Sequence, residues 1–434
     1  MFLTGRQIFP DGPAVVSPTM KLGDIANPQP PEWPRPLAGI TVLAAEQMQA
    51  LPYATQLLGR LGADIIKVEH PAAGDSGRGA LPAMTDPEGR PVGATFLRNN
   101  LGKRSVGLDL KSARGRELFV ELAGTVDVVA ENFKAGTMAR LGLGYDDLVG
   151  RYPALVYVSV SGFGNLGDSP YADWPAYAMV PEAMSGLYDF SRRGDEPPRV
   201  IPAGGLGDIS SGLFAVIGIL TALRHRDVTG TGQHVDIAML DAMVSMADIV
   251  PNLWSLGQRP TDDPSGVMGS FRAADGWFVM QVVREHQFTA LANLIGMPGW
   301  LTDERLSSRA GWGRHLESVI RPAVESWAAG RTRVEVCDAI GRAGIPAGPV
   351  YTAPEVIADP HVEARHMIVE MPRSDDVDTP VLIPGNPVKM SRLQEGPETR
   401  VPWVGEHTDE VLRDRLGLDE HELSSLRDAG VIPG

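Results

Sequence analysis

Ile40-Thr41-Val42-Leu43, Ala54-Thr55-Gln56-Leu57-Leu58-Gly59-Arg60-Leu61-Gly62 and Asp64-Ile65-Ile66-Lys67-Val68 follow one another within thirty residues. The outer two are short apolar runs that read as buried strands. The middle one is apolar on a helical period and stops at glycine. The rhythm continues with a strand over Ser105 to Leu110, a helix over Ala113 to Ala123 and a strand over Val126 to Ala130. A helix over Thr137 to Leu141 and a strand over Leu155 to Val160 complete it. Alternation of this kind predicts an α/β fold, a Rossmann-like parallel sheet covered by helices on both faces.

The chain has 434 residues, enough for more than one domain. Residues 1–36 read as an N-terminal extension, because Pro10, Pro13, Pro18, Pro28, Pro30, Pro31, Pro34 and Pro36 oppose regular structure. Residues 37–230 form the large α/β domain. Ser210 to Arg226, at the end of that domain, and Val235 to Trp254 each read as one long helix, with Gly230-Thr231-Gly232 between them, and residues 231–264 are read as linker helices. Residues 265–355 form a smaller α+β domain, with a strand over Trp277 to Val283 after the turn Asp275-Gly276. Helices over Arg314 to Ala328 and Arg333 to Ala343 follow. Residues 356–434 return to the large domain and end in a charged helix, Asp409 to Leu416.

With 43% hydrophobic and 21% charged residues the composition is that of an ordinary globular protein. A net charge of −15 argues against nucleic-acid binding, which needs a strongly basic face. Cys337 is the only cysteine, which excludes an intrachain disulfide, and no histidine pattern has ligand spacing, so no metal site is expected. The longest apolar run, Leu213 to Leu223, falls short of the ~20 residues that span a bilayer. A soluble, cytoplasmic protein without a membrane partner is expected.

Gly162-Phe163-Gly164-Asn165-Leu166-Gly167 satisfies a dinucleotide-binding spacing, but Asp168-Ser169-Pro170 follows it instead of a helix. It reads as a glycine loop at a ligand mouth, and nicotinamide binding is not expected. No Gly-x-Ser-x-Gly elbow supports a serine hydrolase. Gly207-Asp208-Ile209-Ser210-Ser211-Gly212 places a carboxylate at a helix start, where the dipole favours ionisation. Such an aspartate can attack an activated carbonyl, and the same sequence also fits a plain N-cap. Gln49 lies after the first strand, Asn99, Lys103 and Arg104 precede the third, and Glu131-Asn132-Phe133-Lys134 follow the fourth, with Arg140 a turn later. Cations at strand ends could hold a phosphate-bearing ligand, and Phe133 could stack on a base.

These residues, in order, resemble the class III CoA-transferases, which include formyl-CoA transferase and carnitine-CoA-type relatives. The resemblance rests on residues 37–43, 61–69 and 99–111, on Glu131-Asn132-Phe133 and on Ser161-Gly162-Phe163-Gly164. Ala183-Met184-Ser185-Gly186, Gly207-Asp208, Ile345 to Val350 and Asp359-Pro360-His361 complete it. It implies an open-ring chain forming an interlocked homodimer, with Asp208 as carboxylate nucleophile and coenzyme A as substrate rather than a permanently bound cofactor. It implies CoA contacts at Gln49, Ala50, His70, Leu108 to Lys111, Asn132, Phe133, Lys134 and Arg140, with Ser161 near the thioester. Lys103 and Arg104 join this set as candidate phosphate ligands. His70 departs from the arginine often found there, and the glycine-run loop expected near Gly266 to Ser270 is reduced to two glycines.

The reaction expected is transfer of CoA from an acyl-CoA to a carboxylic acid through a mixed anhydride and an aspartyl-CoA thioester on Asp208. Backbone N–H groups of Ser210 and Ser211 are candidate oxyanion donors. Related racemases need two opposed acid–base groups; here Tyr177 stands near their histidine, and Ala178 replaces an aspartate common to both branches. A catalytically silent CoA-binding protein is the third reading. The acid pocket is expected around Val267 to Phe271, where Arg272 and Arg284 could pair with a second carboxylate.

Overall fold

A computed structural model describes residues 19–26, 34–190, 197–200, 205–247, 249–259 and 265–434. They divide into two compact units, Met1–Gly257 with Pro360–Gly434, and Gln258–Asp359. Pro10, Pro13, Pro18, Pro28, Pro30 and Pro31 lie outside the described residues.

The first unit is built on a six-stranded parallel sheet. Its strands are β1 (Thr41–Ala45), β2 (Asp64–Glu69), β3 (Arg104–Gly107), β4 (Val128–Glu131), β5 (Val156–Ser161) and β6 (His234–Ala238), in the order β3-β2-β1-β4-β5-β6. Side chains alternate between the faces, so Val42 and Ala44 enter one core while Leu43 and Ala45 enter the other. Burial on both faces explains why these strands read as continuous apolar runs. The helices that matter for the site are α1 (Ala50–Arg60), α2 (Met179–Met184), α3 (Leu206–Thr229) and α4 (Met239–Met246). Helix α3 lays Ala215, Ile219, Ala222 and Leu223 on the sheet beside Leu51, Ala54 and Leu58 of α1. At Gly212 a Cβ would stand 2.7 Å from the Ala50 carbonyl oxygen, so the two helices approach as closely as they do only because that residue has no side chain. By length and composition α3 could cross a membrane, yet one side of it is core and Leu213, Ile217 and Leu220 on another are exposed.

Three expectations need correction. Val235 to Trp254 is not one helix: β-branched Val235 and Ile237 extend the sheet as β6, paired with Val158 and Val160, and α4 begins only at Met239. The prolines of residues 1–36 do not bar all order, because the proline-free Met20–Lys21 is a strand parallel to Val369 and Glu370. Arg314 to Ala328 is broken into Arg309–Arg314, a wider turn over Leu316–Ile320 and Arg321–Ala328, since Pro322 cannot donate in a continuous helix.

In the second unit, β7 (Val267–Ala273) pairs antiparallel with β8 (Gly276–Val282), which also pairs with β9 (Ala347–Pro349). Phe271 and Phe278 turn from the hairpin into a core with Phe288, Trp300 and Trp312. Arg272 lies 5.4 Å from the Trp277 ring centroid on the opposite, exposed face.

Candidate active site

In a doubly wound sheet, ligands bind at the carboxyl ends of the strands where the winding reverses. The strand order puts that point between β1 and β4. A cavity of about 280 Å³ opens there, lined by Gln47, Met48, Gln49 and Ala50 after β1, and by Asn132, Phe133 and Lys134 after β4. Ser161, Gly162 and Phe163 after β5 join them, with Trp174, Tyr177, Met239 and Asp208. The structure thus brings together Gln49, Ala50, Asn132, Phe133, Lys134, Ser161 and Asp208 from the expected set. Gly162 belongs to the mouth because a Cβ there would meet the Ala176 side chain at 2.4 Å.

Asp208 is in the first turn of α3. Burial and the nearby Glu182 charge raise its carboxyl to about 6, while the Gln49 amide, donating to Oδ2 at 3.3 Å, favours the ionised form. Gly205 precedes the helix in a left-handed conformation (φ 62°). A side chain there would stand 2.6 Å from Asp208 Oδ2 and 2.9 Å from Gln49 Nε2, so the glycine reserves the space in which these two groups meet. Ser210 and Ser211 are past the first four helical N–H groups, and helix pairing engages their amides; they are not oxyanion donors.

The sequence reading missed Glu182. It is fully buried in α2, accepts from Gly207 N at 2.9 Å, and accepts the Tyr188 hydroxyl. These bonds fix the entry into α3, and the charge perturbs Asp208. A lone carboxylate in the apolar run Met179-Val180-Pro181-Glu182-Ala183-Met184 was the available signal. Tyr177 is exposed on the cavity wall, while Ala178 is buried with its Cβ 3.1 Å from the position a Gly205 Cβ would take.

Other expected ligand residues lie elsewhere. Lys103 is buried and spends its three donors on Glu46 Oε1 at 2.7 Å, Pro52 O at 3.0 Å and Thr55 Oγ1 at 2.7 Å, leaving none for a phosphate. Burial lowers its ammonium to about 8, with Glu46 opposing. Arg104 starts β3 and binds Asp64, the first residue of β2, and Glu410; it therefore sits at the amino ends of the strands, away from the cavity. The Leu108 side chain is core. His70 is exposed, its Nδ1 accepting from Ala72 N and Ala73 N, and Lys111 is also exposed. Arg140 lines a neighbouring cavity of about 700 Å³ with Tyr145, His234 and Glu131, where burial raises the Glu131 carboxyl to about 8.

A carboxylate at a helix start thus faces the reversal point of a parallel sheet. The model of CoA-transferase family III fits residues 37–408. The chain belongs to that family. It is 32% identical over 405 residues to the succinyl-CoA–L-malate CoA-transferase beta subunit of Chloroflexus aurantiacus, covering 92% of this chain and 98% of that one. It is 30% identical over 424 residues to a formyl-CoA:oxalate CoA-transferase of Rhodopseudomonas palustris, covering 91% and 97%. A crystal structure of a CAIB/BAIF family protein from Brucella suis superposes with a TM-score of 0.76 at 31% identity, covering 88% of this chain and all of that one. This member of the family is an enzyme that uses CoA as a substrate, and its mixed α/β fold is the one those structures have.

Proposed function

We propose that the enzyme moves CoA from an acyl-CoA thioester to a free carboxylic acid through covalent intermediates on Asp208. The observation that carries this is that Asp208 is the one carboxylate among the described residues lining the cavity, with its oxygen met by the Gln49 amide. An Asp208 oxygen attacks the thioester carbonyl, the C–S bond breaks and CoA leaves as thiolate, giving a mixed anhydride. The thiolate then attacks the Asp208 carbonyl carbon and expels the donor acid as carboxylate, leaving an aspartyl-CoA thioester. The acceptor carboxylate attacks that thioester, releasing thiolate again, and thiolate attack on the acceptor's acyl carbon gives the product and restores Asp208. Each bond broken is matched by one of similar energy, so a carboxylate is the nucleophile this exchange requires. Gln49 is suited to donate to the oxygen on which charge develops. Phe163, Trp174 and Met239 give the wall an apolar surface that disfavours water, whose attack would waste the thioester.

Racemisation has less support, because the cavity wall offers no second carboxylate or histidine among the described residues. The relatives named for malate and oxalate favour a short dicarboxylic acid as acceptor. CoA would run from Ser161 past Asn132, Phe133 and Lys134 toward Arg140, His70 and Lys111. The proposal includes a cytoplasmic homodimer of interlocked rings, in which a second copy covers the exposed Leu213, Ile217 and Leu220 of α3.

The test is incubation with succinyl-CoA or formyl-CoA and a panel of dicarboxylic acids, followed by hydroxylamine. New acyl-CoA and a hydroxamate at Asp208, located by peptide mass, are expected. Exchange at the wild-type rate by Asp208→Ala would sink the mechanism.

A further inference from the structure

Gln49 meets Asp208 from a short loop, and the loop's shape is imposed by a residue outside the cavity. Met48 takes a left-handed conformation (φ 59°), uncommon for a side chain with a Cβ, and therefore needs its neighbours to hold it. On one side the Asn132 amide brackets Gln47, accepting from its N–H at 2.8 Å and donating to its carbonyl at 2.9 Å. On the other, Asp75 Oδ1 accepts from Met48 N at 2.9 Å and from Gly77 N at 2.7 Å. Asp75 is itself fully buried, and its Oδ2 lies 2.8 Å from Lys67 Nζ. The same ammonium donates to the Glu46 carbonyl at 3.0 Å, one residue before the loop. Burial opposes ionisation of Asp75, but Lys67 and the two backbone donors hold its carboxyl below the usual carboxylate range. At Gly77 a Cβ would stand 3.2 Å from Asp75 Oδ1 and 3.5 Å from Met48 Cα, so the two loops are in direct contact.

We infer that Asp75, anchored by Lys67, is a positioning residue for catalysis: it sets the Met48 turn that delivers Gln49 Nε2 to Asp208. The inference rests on the proposed role of Asp208. Asp75 does not line the cavity and touches no reacting atom. Its effect passes entirely through Gln49, and that can be measured apart from any general loosening of the fold.

The experiment is a double-mutant cycle on kcat with Asp75→Ala, Gln49→Ala and the pair, with Asp75→Asn as the conservative variant. Asp75→Ala should lower kcat by about tenfold or more with a much smaller change in KM for acyl-CoA, as misplacement of a catalytic group does. The double variant should be no slower than the slower single, because a residue that acts through Gln49 has nothing left to act on. Asp75→Asn keeps an acceptor for Met48 N and should recover part of the rate. Should Asp75→Ala fail to fold, the cycle runs with Asp75→Asn. Losses in kcat that multiply in the double variant would overturn the inference while leaving Asp208 untouched. If the wild type moves no CoA at all, the parent reading has failed, and deuterium uptake over residues 46–50 then decides this one. Faster exchange there in Asp75→Ala with β1 still protected supports it, and unchanged exchange overturns it.

Discussion

The two ends of the parallel sheet carry similar residues and use them differently. At the amino ends Arg104 and Arg415 share Asp64, and Arg226 holds Asp127 at 2.8 Å. Every charge named there has an opposite partner. At the carboxyl ends Asp208 faces an amide and a like charge, and Glu131 is buried beside Asp236. The first arrangement fastens strands and helices together, whereas the second leaves carboxyls that hold protons near neutral pH. Perturbed carboxyls lining two neighbouring cavities at one end, with ion-paired ones at the other, mark the carboxyl ends as the candidate working surface.

That contrast can be broken outright at Asp208. Asp208→Ala should lower kcat by about four orders of magnitude or more without lowering the thermal midpoint, read by CoA exchange and calorimetry. Beneath the loop, stability is expected to fall together with activity. Lys67→Met strands Asp75 without its cation and leaves Glu46 to Lys103 alone, and urea unfolding should show a loss of about 3–5 kcal/mol.

The pH profile sharpens the comparison. On the proposed mechanism Asp208 must be ionised to attack, and its carboxyl is raised to about 6, so kcat/KM should rise roughly tenfold between pH 5 and 7 and then level off. The same raised value means that ionising Asp208 weakens the fold as pH climbs from the ordinary carboxylate range through 6, so activity and this contribution to stability run in opposite directions. Glu182→Gln removes the neighbouring charge and should move the acid limb to lower pH; an unmoved limb would show that burial alone sets it. The smallest effect belongs to the amino ends. Arg104→Ala should cost under about 1 kcal/mol in unfolding and leave kcat and KM for CoA unchanged, and a rise in that KM would restore it as a phosphate ligand.

Much of this was legible in the chain. Thr41–Ala45, Asp64–Glu69 and Val128–Glu131 could be found because strands buried on both faces must be apolar throughout, and the loops after them then follow from the topology. Gln49, Asn132 and Phe133 were accessible for the same reason, and Asp208 because Gly207-Asp208-Ile209-Ser210-Ser211 reads as a helix start. The strand His234–Ala238 was not, since its five residues run directly into Met239–Met246 and share that helix's apolar texture. Lys103 misled because a lysine at a strand's start looks like a surface cation, and only the fold brings Glu46 and Thr55 around it. The roles of Glu182 and Asp75 were out of reach for a related reason: what each carboxylate does depends on amides distant in sequence, Gly207 N for one and Met48 N for the other.

Helix α3 has a consequence for how the molecule is made. Its 24 residues are finished while the helices Thr408–Leu416 and Glu420–Asp428, which bury Val411, Leu412 and Leu423 against the opposite side of the sheet, are still unsynthesised. A greasy rod that a translocation machine could mistake for cargo therefore emerges from the ribosome long before the helices that cover the sheet's other face. Truncating the last helices should leave that rod as the first thing to aggregate.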